Sequence, residues 1–223
     1  PDLKNGQTCI AEYQLAGRGR RGRTWVSPFA SHLYFSFYWR FDAGIDKISG
    51  LSLLVGIAAV NALEKIGIQG VSLKWPNDLY YQGKKLAGIL IELNAQATEA
   101  CHCVIGIGIN VKMPPEQAKL IDQPWADLHS LSADSIDRNR LSATLITELQ
   151  SLLPDYEKNG LMPYLPRWFE LDCFLDKQVN LLIADKITTG ICRGINQQGA
   201  LLLELDGQIK EFVGGEISLR LAQ

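Results

Sequence analysis

The sequence predicts an α+β fold: a mixed β-sheet with packed helices, followed by a small C-terminal β-barrel. Three observations carry this. Residues 33–41 alternate apolar and polar with a period of two. Residues 141–152 repeat leucine at helical spacing. After Cys173, strand-like runs follow one another with little between them. Alternation places a strand between a core and a more polar side, a 3.6-residue stripe buries one face of a helix, and closely spaced short strands suit a barrel. The expected division is residues 1–173 and 174–223.

Thr8 to Tyr13 reads as a first short strand. Leu33, Phe35, Phe37, Trp39 and Phe41 then share one face, with Tyr34, Ser36, Tyr38 and Arg40 on the other. This is a half-buried strand. Asp46 to Ile66 reads as a helix, apolar nearly all round from Leu51 and therefore buried, with Gly67 as its stop. Val71 to Trp75 is a strand ending at Pro76, and the following "WPNDLYYQGKK" reads as a turn region. Lys85 to Leu93 and Cys101 to Asn110 form a hairpin centred near Ala97, pairing Gly88 with Gly106. Gly88, Gly106, Gly108 and Asn110 then share one face. Glycines inside strands cost stability and mark either a ligand floor or close helix packing. Residues 114–135 are irregular. A helix starts at Arg138, capped by Asp137, with Leu141, Leu145, Leu149 and Leu152 as its stripe and Pro154 as its end or kink. Leu161 to Leu171 is a further helical piece. The C-terminal strands are Gln178–Ile183, Ile187–Asn196, Ala200–Leu205, Gln208–Val213 and Ile217–Leu219, with hairpin turns at Gln198-Gly199 and Asp206-Gly207.

Net charge is −2 over 223 residues, so any basic cluster is local, which argues against a general nucleic-acid binder. Five cysteines without a C-x-x-C read as reduced, buried thiols. In Cys101-His102-Cys103, alternation points both sulfurs one way and the imidazole the other, which disfavours a metal. No leader peptide is evident, and Leu51–Leu63 is too short and too polar to span a bilayer, so a cytoplasmic protein without membrane attachment is expected.

The stretch "AGRGRRGRTW", Ala16 to Trp25, packs Arg18, Arg20, Arg21 and Arg23 among Gly17, Gly19 and Gly22. It nearly fits both G-x-G-x-x-G and a P-loop, but those motifs must open a helix. Thr24-Trp25-Val26-Ser27-Pro28 follows instead, and the residue before proline is pushed away from helical geometry. What remains is a loop of planar donors for phosphate or carboxylate, or a solvated basic loop. With "KWPNDLYYQGKKLAGILIE" (74–92) and "GIGIN" (106–110), it offers Arg18, Arg20, Arg21, Arg23, Lys74 and Lys85 against a glycine floor. Such a slot suits bringing a carboxylate up to a polyphosphate, because fixed positive charge offsets the repulsion of two anions.

Those three stretches and the closing "GGEISLR", in this order and across essentially the whole chain, closely resemble the biotin protein ligases. The likeness is to the catalytic and C-terminal domains of the bifunctional type that also acts as biotin operon repressor. The resemblance implies a class II synthetase-like sheet, an SH3-like C-terminal domain, biotin and ATP as substrates, and Mg2+ arriving with the ATP. It implies adenylation of biotin, then transfer to a lysine of the biotin carboxyl carrier protein of acetyl-CoA carboxylase. Carried over by motif, Gln14, Arg18, Gly19, Arg20, Lys85, Gly88 and Gly106 would contact biotin. Arg20, Arg21, Lys74, Asn110, Trp125 and Arg220 would contact ATP, while Lys85, Arg18, Arg20 and Asp78 would act in catalysis. No protein metal ligand is implied. Lys85 lies three residues before Gly88, so a bulge, or a strand beginning after Lys85, is needed to put both on one face. The family's N-terminal winged helix and the "DSTN"-type segment before the first strand are not in this sequence. The chain is therefore expected to begin inside the catalytic domain and not to bind operator DNA. Homodimers through edge strands are a further family expectation. A lipoate or octanoate ligase on the same fold is the alternative enzyme, and a nucleic-acid-binding module the alternative of another class.

Overall fold

The structure is a computed structural model that describes residues 3–42, 44, 48–94, 100–132, 134–183, 186–213 and 217–222, with backbone only for Arg21, Ile217 and Ser218. Its first half comprises β1 (Thr8–Ala11), β2 (His32–Phe41), α1 (Leu51–Lys65), β3 (Val71–Lys74), β4 (Asp78–Tyr81), β5 (Lys84–Asn94) and β6 (Cys101–Asn110). These strands lie in the order β1-β2-β6-β5-β4-β3. Every ladder is antiparallel, so the sheet is not the mixed one expected. Consecutive strands from β3 to β6 are joined by connections too short for a parallel crossover. Parallel contact among the described residues is confined to the isolated bridges Leu73–Asp172 and Lys85–Trp125.

The second half holds α2 (Pro115–Ala118), α3 (Arg138–Asn159), α4 (Leu165–Leu171), β7 (Gln178–Ile183), β8 (Lys186–Ile195), β9 (Leu201–Leu205), β10 (Gln208–Phe212) and β11 (Ile217–Leu221). The five strands form a second sheet in the order β10-β9-β8-β7-β11. Among the described residues no ladder joins β10 to β11, so the expected barrel is an open sheet. Residues 208–211 are all exposed, and β10 lacks a buried face to draw it round onto β11.

The core lies between the first sheet and α1 with α3. From β2, Leu33, Phe35, Phe37 and Phe41 are at most 2% exposed, and eleven residues of α1 are buried. That accounts for a helix apolar nearly all round. Its first turn is at Leu51 rather than Asp46, after Gly50 at φ 82°; Asp46 itself lies outside the described residues. Gly67, at φ 95°, follows its end as expected. In α3, Asp137 caps the backbone N–H groups of Asn139 and Arg140, and Leu141, Leu145, Leu149 and Leu153 form the fully buried stripe. Pro154 does not end this helix. The turn beyond it is anchored by Tyr156, 1% exposed, whose hydroxyl donates to Ser49 O at 2.6 Å. Two further differences concern short elements. The "turn region" contains a whole strand, β4, between two tight turns. The irregular 114–135 segment holds α2 and a 3-10 turn at Leu128–Ser130. Nor is β2 half-buried, since Tyr34 and Tyr38 on its second face are 3% and 8% exposed.

The two sheets meet where Trp75 Nε1 donates to Gly199 O at 3.0 Å and Ser49 Oγ to Gln198 O at 2.8 Å. Trp75 is 2% exposed, so Trp75→Phe leaves that carbonyl short of a partner. We expect a loss of about 1–2 kcal/mol in unfolding free energy, read from the urea midpoint.

His32 is fully buried. Its Nδ1 lies 3.1 Å from Val111 N and 2.7 Å from Ser31 O, while Nε2 has no partner. Asp127 is the nearby acid, Arg138 donates to His32 O while pairing with Glu12, and the Tyr34 ring stands edge-on. Burial pushes the imidazole below its usual 6.5. The unfolded chain therefore binds the proton more readily, and stability present above pH 6.5 is lost as pH falls toward the folded value. Urea midpoints measured across this range should decline on acidification, with a shallower slope in His32→Gln.

Candidate active site

One row of cross-strand partners organises the site. Lys74 pairs with Asp78, Asp78 with Gly88, Gly88 with Gly108 and Gly108 with Tyr34, crossing five strands on the face away from α1. The next row joins Leu90, Gly106 and Ser36. The expected pairing of Gly88 with Gly106 is thus off by two residues. A slip of two preserves the faces, whereas a slip of one would invert them. Gly88, Gly106 and Gly108 consequently still share a surface; residues 95–99, where the hairpin centre was expected, lie outside the described residues.

Lys85 reaches this surface through a bulge. Leu79 pairs with Ala87 and Tyr80 with Lys85, so Leu86 is the extra residue on β5. Leu86 is fully buried on the core side. Lys85 swings to the glycine side, its Nζ 3.5 Å from where a Cβ on Gly88 would sit. That ammonium is 2.7 Å from Asp78 Oδ1, both side chains being 17% exposed. Oδ1 nevertheless lacks a hydrogen bond of proper angle, so the pair is a close electrostatic contact rather than an aligned hydrogen bond.

The arginine loop lies over the other side. It folds on itself through a bridge between Arg18 and Thr24, a 2.7 Å hydrogen bond from Gly19 N to Arg23 O, and a 3-10 turn at Arg20–Gly22. A side chain at Gly17 would sit 2.5 Å from Ser27 Oγ, which explains that glycine. Arg20 Nη1 donates to Asn77 Oδ1 at 3.1 Å, and Asn77 Nδ2 donates to Ile89 O at 2.7 Å. Arg18 Nη2 pairs with Glu92 at 3.0 Å. The cleft so enclosed is about 260 Å³ and is lined by Gln14, Arg18, Gly19, Arg20, Lys74, Asp78, Lys85, Gly88 and Gly106. Nine of the residues singled out in the sequence therefore meet around one space.

Others do not. Asn110 is buried and its amide donates to Ala126 O at 3.0 Å, holding the loop that carries Trp125. Both border a side pocket of about 80 Å³ that also touches Lys85. Arg220 is exposed on β11 outside the cleft lining, although its charge reaches Lys74. Arg21 contributes backbone to the loop, and its side chain lies outside the described residues. Lys74 is held by Tyr80, donating to its hydroxyl at 3.0 Å. Burial draws its pKa below 10.5, opposed by Asp78 and reinforced by Lys85.

Sequence reasoning assigned no role to Trp25, Tyr34, Ser36, Glu92 or Leu219, all of which line the cleft. Trp25 matters most. A Cβ on Gly108 would come within 2.8 Å of its indole, while none of its atoms stands near Gly106. The indole therefore lies over Gly108 and reaches Gly88, 3.4 Å from where a Cβ there would sit, and leaves Gly106 clear. The alternation of β2 and β5 was the available signal for Tyr34, Ser36 and Glu92; the lid over their face was not visible in it. Cys101 and Cys103 are buried side by side with His102 outward, as alternation required, and the described residues contain no group of three metal-ligating side chains.

Residues 1–110 match the family model described as the biotin/lipoate A/B protein ligase family, and residues 174–220 match that of the biotin protein ligase C-terminal domain. The chain is 51% identical over 222 residues to the bifunctional ligase/repressor BirA of Escherichia coli, an alignment spanning 100% of this chain and 69% of that protein. It is 31% identical over 218 residues to a biotin–[acetyl-CoA-carboxylase] ligase of Mycobacterium tuberculosis, spanning 96% and 79%. Among solved structures it is similar to a biotin protein ligase from Aquifex aeolicus in complex with biotin and ATP, with a TM-score of 0.84 at 30% identity over 99% and 91% of the two chains.

Proposed function

The chain belongs to the biotin protein ligases, and on that premise we propose that its cleft activates biotin with ATP and transfers it to a lysine of a biotin carboxyl carrier domain. In the first step a biotin carboxylate oxygen attacks the α-phosphorus. The bond to the β,γ-phosphates breaks, leaving biotinyl-5′-adenylate and pyrophosphate. In the second the acceptor amine, having lost its proton, attacks the anhydride carbonyl and AMP departs. The carrier of acetyl-CoA carboxylase is the acceptor suggested by the names of the relatives.

The observation that carries this reading is the placement of Lys85 above the glycine floor, with the arginine loop opposite. Biotin's flat ring system fits over Gly106, beside the Trp25 indole and Lys85 that stand at Gly88, with Gln14 and Gly19 at the rim. Its carboxylate then points toward Lys85, Arg18 and Arg20. Lys85 would neutralise charge on the oxygen joining carboxylate and phosphorus, and Asp78 would fix the ammonium's position. Lys74, Arg20, Arg21 and Arg220 are assigned to the phosphates, with adenine against Trp125 in the side pocket and Asn110 holding that loop. Mg2+ would enter with ATP. The C-terminal sheet is read as a second domain from residue 174, and an exposed strand edge such as β1 as the site where a second copy would pair. The match of that C-terminal unit to the biotin ligases' own domain favours biotin over lipoate or octanoate. Among the described residues no helix is long and apolar enough to cross a membrane, and a cytoplasmic setting is part of this reading.

Biotin-dependent ATP–pyrophosphate exchange tests the proposal, with lipoate and octanoate run in parallel. Exchange with biotin alone is expected, and exchange with lipoate instead would contradict it. Lys85→Ala should lower the exchange rate by about 100-fold or more while thermal unfolding stays cooperative. Arg20→Gly should shorten the lifetime of bound adenylate at least about tenfold, measured by release of labelled adenylate after gel filtration.

A further inference from the structure

Lys74 ends β3 in the row of partners that crosses the glycine floor, and it lines the cleft. Two aromatic rings stand beside its ammonium. Nζ donates to the Tyr80 hydroxyl at 3.0 Å and leans over that ring, 4.7 Å from the centroid. The Phe174 ring lies 5.9 Å from the same Nζ. Both rings are buried, and each is carried by a fixed piece of backbone. Ser72 Oγ donates to the Tyr80 carbonyl at 3.3 Å, and Tyr80 pairs with Lys85 at the bulge. Phe174 belongs to the junction between the two sheets, where Cys173 N donates to Leu73 O at 2.9 Å, one residue before Lys74. An ammonium has three donors, so the contact with Tyr80 leaves others for an anion in the cleft. A hydroxyl acceptor and an aromatic face both favour the charged form. Burial opposes that form most, Asp78 and Cys173 favour it, and Lys85 and Arg220 oppose it.

We propose that Tyr80 is a positioning residue for the nucleotide half of the reaction: its hydroxyl and ring hold the Lys74 ammonium at the cleft wall, aimed at the phosphates of ATP. Tyr80 stands outside the cleft lining and acts through Lys74. This rests on the proposed reading of the cleft as a site that activates biotin with ATP. A lysine stem is flexible, and fixing its head before the nucleotide arrives removes an ordering cost from binding. Tyr80 thereby serves both lysines of the floor, Lys85 through its backbone and Lys74 through its side chain.

Tyr80→Phe tests this in the full chain, since it removes the hydroxyl and keeps the ring and its packing. In biotin-dependent ATP–pyrophosphate exchange, the KM for ATP should rise about three- to tenfold, the loss expected for one hydrogen bond, while the KM for biotin stays within about twofold. An unchanged KM for ATP, or an equal rise in both, overturns the proposal. Competitive labelling with acetic anhydride, followed across pH by mass spectrometry without substrates, reads Lys74 directly, with the exposed Lys84 as internal reference. The titration midpoint of Lys74 should fall by about half a unit to one unit in Tyr80→Phe, because the lost acceptor favoured the charged form. A midpoint that stays in place, or one that moves equally for Lys84, also overturns the proposal. Absence of exchange in the unaltered protein would refute the reading of the cleft instead, and the labelling would still decide whether Tyr80 holds Lys74.

Discussion

The extra residue at Leu86 is the constraint on which the site depends. A regular β5 would send Lys85 to the core side, opposite Gly88, where an ammonium has no partner. The shift in pairing between Leu79 and Tyr80 buries Leu86 and delivers Lys85 to the glycine face. It also sets Asp78 beside that ammonium, because β4 is read from the same irregular ladder. Bulges in antiparallel sheets commonly re-aim a side chain in this way. Here the re-aimed group is a positive charge that stands directly over the floor, its Nζ 3.5 Å from a Cβ position at Gly88.

The two faces of the first sheet are built to opposite rules. On the core side, Phe35, Phe37, Ile105, Ile107 and Ile109 belong to one buried cluster with α1 and α3. On the other side three glycines leave the backbone bare. Each such glycine costs roughly 0.5–1 kcal/mol relative to a residue with a side chain, and the dense opposite layer offsets that loss. The bareness is what lets the Trp25 indole come within 2.8 Å of a Cβ position at Gly108 and 3.4 Å of one at Gly88, while Gly106 stays clear of it. Lys74 shows the same tension in charge: burial weakens its hold on a proton, and Asp78 partly restores it. Anions entering the cleft would strengthen it further, since they favour the charged form of every lysine they approach.

Much of this was legible in the amino-acid order, for reasons that differ by element. β2 and β6 could be read almost to the residue because alternation is a local signal. The start of α3 was fixed by Asp137 for the same reason. β4 was hidden because four residues between turn formers carry too little periodicity. Pro154 misled because a local helix breaker was overridden by the burial of Leu153 and Tyr156, which only tertiary packing reveals. The open C-terminal sheet differs from a barrel through the pairing of its edges, and no single strand encodes that. At the site, most of the residues picked from the arginine loop and from 74–92 line one cleft while Asn110 and Arg220 do not, and the spacing alone required either a bulge at Lys85 or a strand beginning after it. Trp25 and Glu92 were not assigned, since their importance comes from a loop lying across strands distant in sequence.

The most direct test of the account is a crystal structure of the chain with biotin and a non-hydrolysable ATP analogue. The account predicts the biotin rings over Gly106 beside the Trp25 indole, with Lys85 Nζ within hydrogen-bond distance of the biotin carboxylate and the α-phosphate. Biotin bound elsewhere, or a Lys85 still paired only with Asp78 while both ligands occupy the cleft, would contradict it.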